Sequence, residues 1–385
     1  MYISRRSVLA AGLAGIAVAP LAGTAWASPG GKHRMVFVFL RGGLDGLSAV
    51  PAYGDPDYGP ARGGLAVPPP GGEGGALRLD DLFGLHPALP TWHSLYQAGE
   101  MAVVHAAASP YRKRSHFDAQ TVVEAGGTRA DAASQGWINR ALAASKTGGI
   151  SLTSSVPLIM RGEHPVTSWS PSVQPKPDDN TLLRLEALYH GDRDLAQSFE
   201  RARSMNSGET KADGARFEDL MHQAGVFLAE PDGPRVAYLE LGGWDTHARQ
   251  GAPGSPLVRN LRALDTGIGS LKRSLGHLWT NTTVVVFTEF GRTVAMNGSG
   301  GTDHGTGGAV LLAGGGVQGG RVTADWPGLS SNALREGRDL RPTTDLRAVF
   351  KGAIADPLGS SRPALGDTVF PDSGEVQPTP DLVRS

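Results

Sequence analysis

Carboxylate, imidazole and hydroxyl side chains collect in a few short stretches of this sequence, each next to an apolar run. The chain contains no cysteine, so only His, Asp, Glu or hydroxyl oxygen could hold a metal ion. These donors suit one or two divalent cations, such as Zn²⁺, Mn²⁺, Mg²⁺ or Ca²⁺. Two ions about 4 Å apart would hold the attacking and leaving oxygens during phosphoryl or sulfuryl transfer. The candidate residues are Arg41, Asp45, Arg114, Ser115, His116, Asp245, His247, Glu289, Arg292, Asp303 and His304.

Continuous apolar runs predict the strands that position these residues. Runs of this kind are typical of strands buried on both faces of a parallel sheet. The predicted strands cover 35–40, 101–105, 156–160, 236–241, 283–288 and 309–313.

Helical patterns lie between these strands. The clearest is an apolar stripe from Leu257 to Leu278 with alternating spacing of four and three, for which Ser255 is the predicted cap and Pro256 the first turn. Further helices are predicted over 115–124, 136–144, 182–229 and 344–354. The alternation predicts an α/β fold, a doubly wound and mostly parallel sheet with helices on both faces. The Pro- and Gly-rich stretches 51–75 and 165–179 indicate loop insertions in one domain spanning 28–385.

The candidate residues are expected at one rim of this sheet. In an open parallel sheet, the loops at the carboxyl ends of the strands converge on the ligand, and helix amino termini point toward it. Most candidates follow a predicted strand, whereas Asp303 and His304 precede the strand at 309–313. Ser115 stands where a helix begins, so its hydroxyl could either cap that helix or attack a substrate.

Each candidate also has a purely structural interpretation. Asp45 could form a turn, and the Asp245 to His247 stretch could cap a helix. Glu289 and Arg292 could form a structural ion pair, or Arg292 could orient the Glu289 carboxylate as a ligand.

The first residues predict an export signal. Arg5 and Arg6 precede an apolar stretch that ends near Leu21, and Ala25 to Ala27 form a small-residue cleavage site. The stretch is too short and too rich in Gly and Pro for a membrane span. We expect a twin-arginine signal over 1–27, engagement of the twin-arginine translocase, and a periplasmic or extracellular mature protein without a membrane span.

Several function classes are disfavoured. Lys and Arg number 36 against 37 Asp and Glu, with no long run of like charge, so no nucleic-acid partner is expected. A Gly-x-Gly-x-x-Gly pattern at 314–319 is followed by no helical pattern, which disfavours a dinucleotide site.

The motifs together resemble a family of exported bacterial proteins, domain of unknown function 1501. The stretches that carry this resemblance are 40–47, 114–120, 242–247, 287–293 and 303–305, and they span nearly the whole mature chain. The family is similar in turn to the alkaline phosphatase and sulfatase superfamily, metal-dependent ester hydrolases on a doubly wound sheet.

This second resemblance implies roles for individual residues. Asp45 matches the first metal-binding aspartate and Ser115 the nucleophile. Asp245 and His247 resemble the Asp and His pair on one metal, and His304 resembles the final metal-binding histidine, with Asp303 beside it. Glu289 stands where an Asp-His pair is typical, and Phe290 replaces the expected imidazole. Either one metal is lost, or His116 or Asp303 supplies the missing bond.

These resemblances imply an exported hydrolase of a small phosphate or sulfate ester with Ser115 as nucleophile. Four further residues are expected behind the ligands or against the substrate: Arg41, Arg114, His116 and Arg292. Two alternatives remain at this stage, a binding or assembly protein without turnover, and a hydrolase that uses metal-activated water instead of a serine.

Overall fold

The computed structural model describes residues 33–130, 134–171, 216–361 and 363–384. The predicted export signal and most of the helix predicted over 182–229 lie outside these residues. The strands are β1 (Arg34–Leu40), β2 (Leu77–Arg78), β3 (Gly84–Leu85), β4 (Met101–Ala108), β5 (Gly149–Ser151), β6 (Thr167–Ser168), β7 (Val236–Leu241), β8 (Thr282–Thr288), β9 (Gly308–Ala313), β10 (Arg321–Thr323) and β11 (Thr344–Asp345).

Nine of these strands form one sheet, and its pairing is mostly parallel. The order is β10, β4, β9, β8, β1, β7, β5 and β6, with β11 paired to β4. Strand β9 runs antiparallel to both of its neighbours, β4 and β8. The pairs that β1 forms with β7 and β8 are parallel, as are those of β5 with its neighbours.

The α-helices pack around this sheet. They are α1 (Gly46–Ala49), α2 (Tyr58–Arg62), α3 (Pro90–Gln97), α4 (His116–Ala125), α5 (Trp137–Ser145), α6 (Phe217–Ala229), α7 (Pro256–Leu275) and α8 (Leu346–Ile354). Among the described residues, no helix is both long and apolar enough to cross a membrane.

Alternate residues of β1 enter two separate hydrophobic cores, which confirms a sheet covered on both faces. Val36, Val38 and Leu40 belong to the core that contains α3, α6 and α7 residues. Met35 and Phe37 belong to the core formed with α5 and α8. A strand buried on both faces needs apolar side chains at every position, and this explains its continuous apolar run.

The clearest predicted helix, the one with the stripe that begins at Leu257, is confirmed in detail. The Ser255 hydroxyl accepts the N–H of Val258 at 3.3 Å, and Pro256 occupies the first turn of α7. The helix ends before Gly276, whose φ of 55° is a left-handed conformation that glycine adopts at low cost.

The prediction of a strand over 156–160 is wrong. Residues Leu158–Met160 form a 3₁₀ turn after Pro157, and Ile159 and Met160 are buried in the core beside α5. Proline has no N–H to donate to a strand ladder, so an apolar run that contains it can be buried in another conformation.

The sheet brings several connections to one rim. Strands β1, β4, β7 and β8 run in the same direction, so the residues after their carboxyl ends lie at the same edge. Because β9 runs the other way, the residues that precede it also lie at that edge. His304, which comes before β9, is therefore placed beside residues that follow the other four strands.

Candidate metal centre

Three potential ligands converge at this rim from three connections. His116 begins α4, Asp245 follows β7, and His304 precedes β9. The Nε2 atoms of His116 and His304 lie 3.0 Å apart, and His304 Nε2 lies 3.2 Å from Asp245 Oδ1. One potential ligand atom from each residue lies within 4.8 Å of the other two.

His247 adds a third imidazole, and a fourth potential ligand, on the flank of this group. Its Nε2 lies 2.9 Å from Asp245 Oδ1 and 3.1 Å from His304 Nε2. Its side chain is 45% exposed, against 21% for His116 and 27% for His304. His247 is therefore the most solvent-accessible of the three imidazoles.

The other ring nitrogen of each histidine is fixed by an acceptor. The Nδ1–H of His116 donates to Glu289 at 2.7 Å, that of His247 to Asp303 at 3.1 Å, and that of His304 to the Arg114 carbonyl at 3.0 Å. In neutral imidazoles these bonds leave every Nε2 as a lone-pair donor facing the group. This is the usual arrangement of metal-ligating histidines, in which an outer acceptor fixes the tautomer and ring orientation.

The donor set fits a zinc-sized cation. Zn–N bonds of 2.0–2.1 Å in a tetrahedron place ligand atoms about 3.3 Å apart, and the separations here run from 2.9 to 3.5 Å. Lone pairs facing one another at this distance repel unless a cation or proton lies between them. Because Mg²⁺ and Ca²⁺ prefer all-oxygen sites, the imidazoles favour zinc over either.

Arg292 holds the Asp245 carboxylate in place. Its buried guanidinium donates to Asp245 Oδ1 at 2.5 Å and is anchored on the carbonyl and hydroxyl of Thr302. Partial burial alone would raise the pKa of Asp245, but the hydrogen bond and charge of Arg292 lower it overall. The carboxylate is therefore kept ionised, as a metal ligand must be.

Glu289 lies behind His116, and both oxygens of its carboxylate accept hydrogen bonds. Its Oε1 accepts from His116, from the Gln120 amide at 2.9 Å and from the Gly42 N–H at 2.9 Å, and Oε2 accepts from Thr288. Burial would raise its pKa, but these hydrogen bonds lower it. The same contact with Glu289 raises the pKa of His116 despite partial burial.

Asp45 lies outside the group, and the structure gives it other partners. Its side chain caps α1 and accepts from Arg62 at 2.5 Å, from Ser48 at 2.9 Å and from Gln250 at 2.5 Å. Asp45 and Arg62 are both buried, and although burial would raise the pKa of Asp45, Arg62 holds it low. A buried ion pair, instead of a metal site, accounts for this aspartate.

Ser115 precedes His116 at the N-cap position of α4, yet its side chain makes no capping hydrogen bond. Arg114 donates to Asp339 and Glu336, and its backbone, at φ 59°, presents the carbonyl that accepts from His304. Arg41 contacts Gln120, Glu124 and Glu240, so it reaches the group only through Gln120.

Phe290 forms a wall of the site. Its ring centroid lies 4.7 Å from that of His116 and 5.1 Å from that of His304. Gly43, at φ 75°, has no room for a side chain, because a Cβ there would lie 2.8 Å from the Phe290 ring. The aromatic residue thus packs against two potential ligands.

Gln120 was not among the site residues predicted from the sequence. His116 was predicted only as a substitute ligand, or as a residue behind the ligands or against the substrate. Gln120 lies four residues after His116 on the same face of α4, and both side chains bond Glu289. That spacing is the signal by which Gln120 could have been found.

A groove of about 620 Å³ opens beside the centre. Asp245 and His247 line it together with residues of the following loop and the first turn of α7. The side chains of Asp245 and His247 are therefore reachable from solvent on this side.

Solved structures similar to this chain share little sequence with it. One is Ps i-CgsB in complex with k-i-k-neocarrahexaose, at 11% identity and a TM-score of 0.41 over 90% of this chain and 77% of that one. Another is a phosphonate monoester hydrolase of Agrobacterium radiobacter, at 12% and 0.39 over 90% and 78%. A third is the C-terminal periplasmic domain of EcEptC from Escherichia coli in complex with Zn, at 13% and 0.37 over 77% of each chain. TM-scores below 0.5 support no inference about activity.

The family relationship of the chain follows from one match. No curated protein matches the chain. One family model, described as a protein of unknown function (DUF1501), matches residues 83–364, which include all three members of the donor group. The chain belongs to the DUF1501 family.

Proposed function

We propose that this protein is an exported, metal-dependent hydrolase of phosphate or sulfate esters. His116, Asp245 and His304 would hold one divalent cation, zinc by the donor chemistry, with His247 beside it. The observation that carries the proposal is the convergence of these donors, each histidine with its outer nitrogen already bonded to an acceptor. Such fixed orientation is what a metal site requires.

The exposure of the donors favours catalysis over a purely structural metal. Structural zinc sites are closed by four protein ligands, whereas catalytic sites keep a position open. Here the compact group has three members, and Asp245 and His247 are almost half exposed beside the groove. A cation held there would supply Lewis acidity toward an oxygen of the substrate.

The protein's own residues would prepare the site for that chemistry. Arg292 keeps Asp245 ionised and oriented, and Glu289 and Asp303 hold the imidazoles of His116 and His247. Phe290 excludes water from one side of the His116 and His304 rings.

Ser115 is the proposed nucleophile. It adjoins the ligand His116, and its hydroxyl is not consumed in capping α4. A hydroxyl at the start of a helix also lies near the positive end of the helix dipole, which stabilises a developing alkoxide. A mechanism with water as the nucleophile is the alternative that substitution of Ser115 tests.

A second candidate function is metal binding without turnover. The observation that favours it is His247, which lies within 3.1 Å of two members of the group and could serve as a fourth protein ligand. Four protein ligands would leave a tetrahedral zinc ion without an open position.

Export belongs to the same proposal. Residues 1–27 would direct the chain through the twin-arginine translocase, and 28–385 would form the mature domain outside the cytoplasm. The translocase carries folded proteins, so the metal could be bound before export.

The test combines metal content with ester turnover. The mature chain is purified and assayed by elemental analysis and by nitrophenol release from nitrophenyl phosphate and nitrophenyl sulfate. Ser115→Ala and His304→Ala are compared with the wild type, and His277→Ala, an exposed histidine outside the centre, is the matched control.

The proposal expects one zinc ion per chain, turnover of at least one ester, loss of both in His304→Ala and loss of turnover alone in Ser115→Ala. Turnover that survives Ser115→Ala would move the nucleophile from serine to water. Stoichiometric metal without turnover would establish the binding protein, and a metal-free wild type would refute the metal centre itself.

A further inference from the structure

Two arginines line the groove beside the candidate metal centre. Arg249 lies in the loop after β7, and Arg259 lies in the first turn of α7. The same groove, of about 620 Å³, is lined by Asp245 and His247. Its space is therefore continuous with the donor group.

These guanidiniums differ from the other arginines around the site. Arg41, Arg114 and Arg292 are each paired with a carboxylate. Arg259 donates to the Gly254 carbonyl at 2.5 Å, and within the described part of the chain neither Arg249 nor Arg259 forms an ion pair. The groove's own carboxylate, Asp245, is already paired with Arg292, so this wall carries uncompensated positive charge.

The backbone beneath both arginines is anchored. The Arg249 N–H donates to the Ser299 carbonyl at 3.0 Å, and the neighbouring Ala248 forms a bridge with Gly300. Arg259 stands on a helix whose first turn is capped by Ser255. Both arginines thus line the groove of Asp245 and His247 from anchored backbone positions.

We propose that this groove binds a second anionic group of the substrate. The inference rests on the proposed hydrolase function and narrows its substrate class to esters that carry at least two anionic groups. One would be the reacting ester at the metal centre, and the other a phosphate, sulfate or carboxylate held by Arg249 and Arg259. Guanidinium groups bind such oxyanions through paired, charge-assisted hydrogen bonds.

The experiment compares two probes that differ by one phosphate. Glucose 6-phosphate and glucose 1,6-bisphosphate are titrated into the metal-loaded mature protein by calorimetry, and inorganic phosphate is assayed afterwards to correct for any hydrolysis. Arg249→Gln and Arg259→Gln are tested beside Arg262→Gln, which removes an exposed arginine one turn further along α7, outside the groove.

We expect the wild type to bind the bisphosphate at least tenfold more tightly than the monophosphate, the effect of about one charge-assisted contact. Each groove variant loses most of that preference at unchanged metal content, whereas Arg262→Gln keeps it. Higher salt reduces the preference, because the groove is open to solvent.

Equal affinity for the two sugars, a preference that persists in both groove variants, or no binding of either sugar overturns the inference. The binding measurement requires no turnover. A protein that hydrolyses no ester would therefore refute the proposed function, while an arginine-dependent preference for the bisphosphate would still stand.

Discussion

Substitution of Glu289 by glutamine tests whether the acceptor behind His116 sets metal affinity. Glutamine has nearly the same shape, and its oxygen can still accept from His116 and from the Gly42 N–H. Its amide can replace Oε2 and donate to the Thr288 hydroxyl, which itself can donate to the Leu40 carbonyl. The variant therefore removes the charge while leaving the packing in place.

The size of the effect follows from the bond that is weakened. A hydrogen bond to a charged group contributes about 1.5–3 kcal/mol, against about 0.5–1.5 kcal/mol for a neutral pair. The 2.7 Å bond from His116 Nδ1–H to Glu289 thus loses about 1–1.5 kcal/mol. Since 1.4 kcal/mol is about tenfold in affinity, we expect zinc to bind roughly tenfold more weakly.

The assay is competition for zinc between the purified protein and a chromophoric chelator. Glu100→Gln is the matched control. Glu100 is also a partly buried acceptor, but its side chain accepts from Lys272 and Trp279 and contacts none of the donor group. Thermal unfolding of the metal-free variants confirms that both are folded. Zinc affinity of Glu289→Gln equal to that of the wild type would refute the role assigned to this carboxylate.

Three further predictions follow from the same contacts. His304→Ala should abolish stoichiometric zinc, whereas His247→Ala, which removes the exposed flanking imidazole, should retain zinc at reduced affinity; equal loss in elemental analysis would show that both are required ligands. Arg62→Leu leaves the Asp45 carboxylate buried without its cation and should lower the free energy of unfolding by about 3–5 kcal/mol in urea titration, with an unchanged value counting against a buried pair. Because Arg62 holds the pKa of Asp45 below its ordinary value, the stabilisation from this carboxylate is present above the unfolded-state pKa of about 4 and is lost as pH falls through the lower folded-state pKa. Asp45→Asn should therefore show a shallower loss of stability in acid than the wild type, and parallel acid unfolding curves would contradict this.

Periodicity and apolar runs were sufficient to predict most of the fold. The run at 35–40 is apolar at every position because β1 is covered by a core on each face, and the stripe of α7 faces one of those cores. The run at 156–160 was misread because burial alone does not distinguish a strand from a 3₁₀ turn, and Pro157 decides for the turn. Strands of two or three residues, such as β6, are too short to give a pattern.

The location of the site at one rim of the sheet was predictable from the sequence, but the roles of its individual residues were not. Sequence position placed Asp245 and His304 at one edge, and they do converge. Glu289 directly follows β8, and its side chain is buried. It therefore bonds the Nδ1 atom of His116, which faces away from the donor group. Asp45 depends on Arg62, seventeen residues later, and a partner at that separation leaves no periodic signal.

The antiparallel course of β9 has a consequence for biosynthesis. It makes His304 precede its strand, so the two histidines that touch at 3.0 Å are separated by 188 positions in the polypeptide. A ribosome must therefore translate most of the chain before both imidazoles exist, so a partial product cannot assemble the donor group of His116, Asp245 and His304. Binding of a metal ion at the proposed centre would consequently be a late event that reports completed tertiary structure.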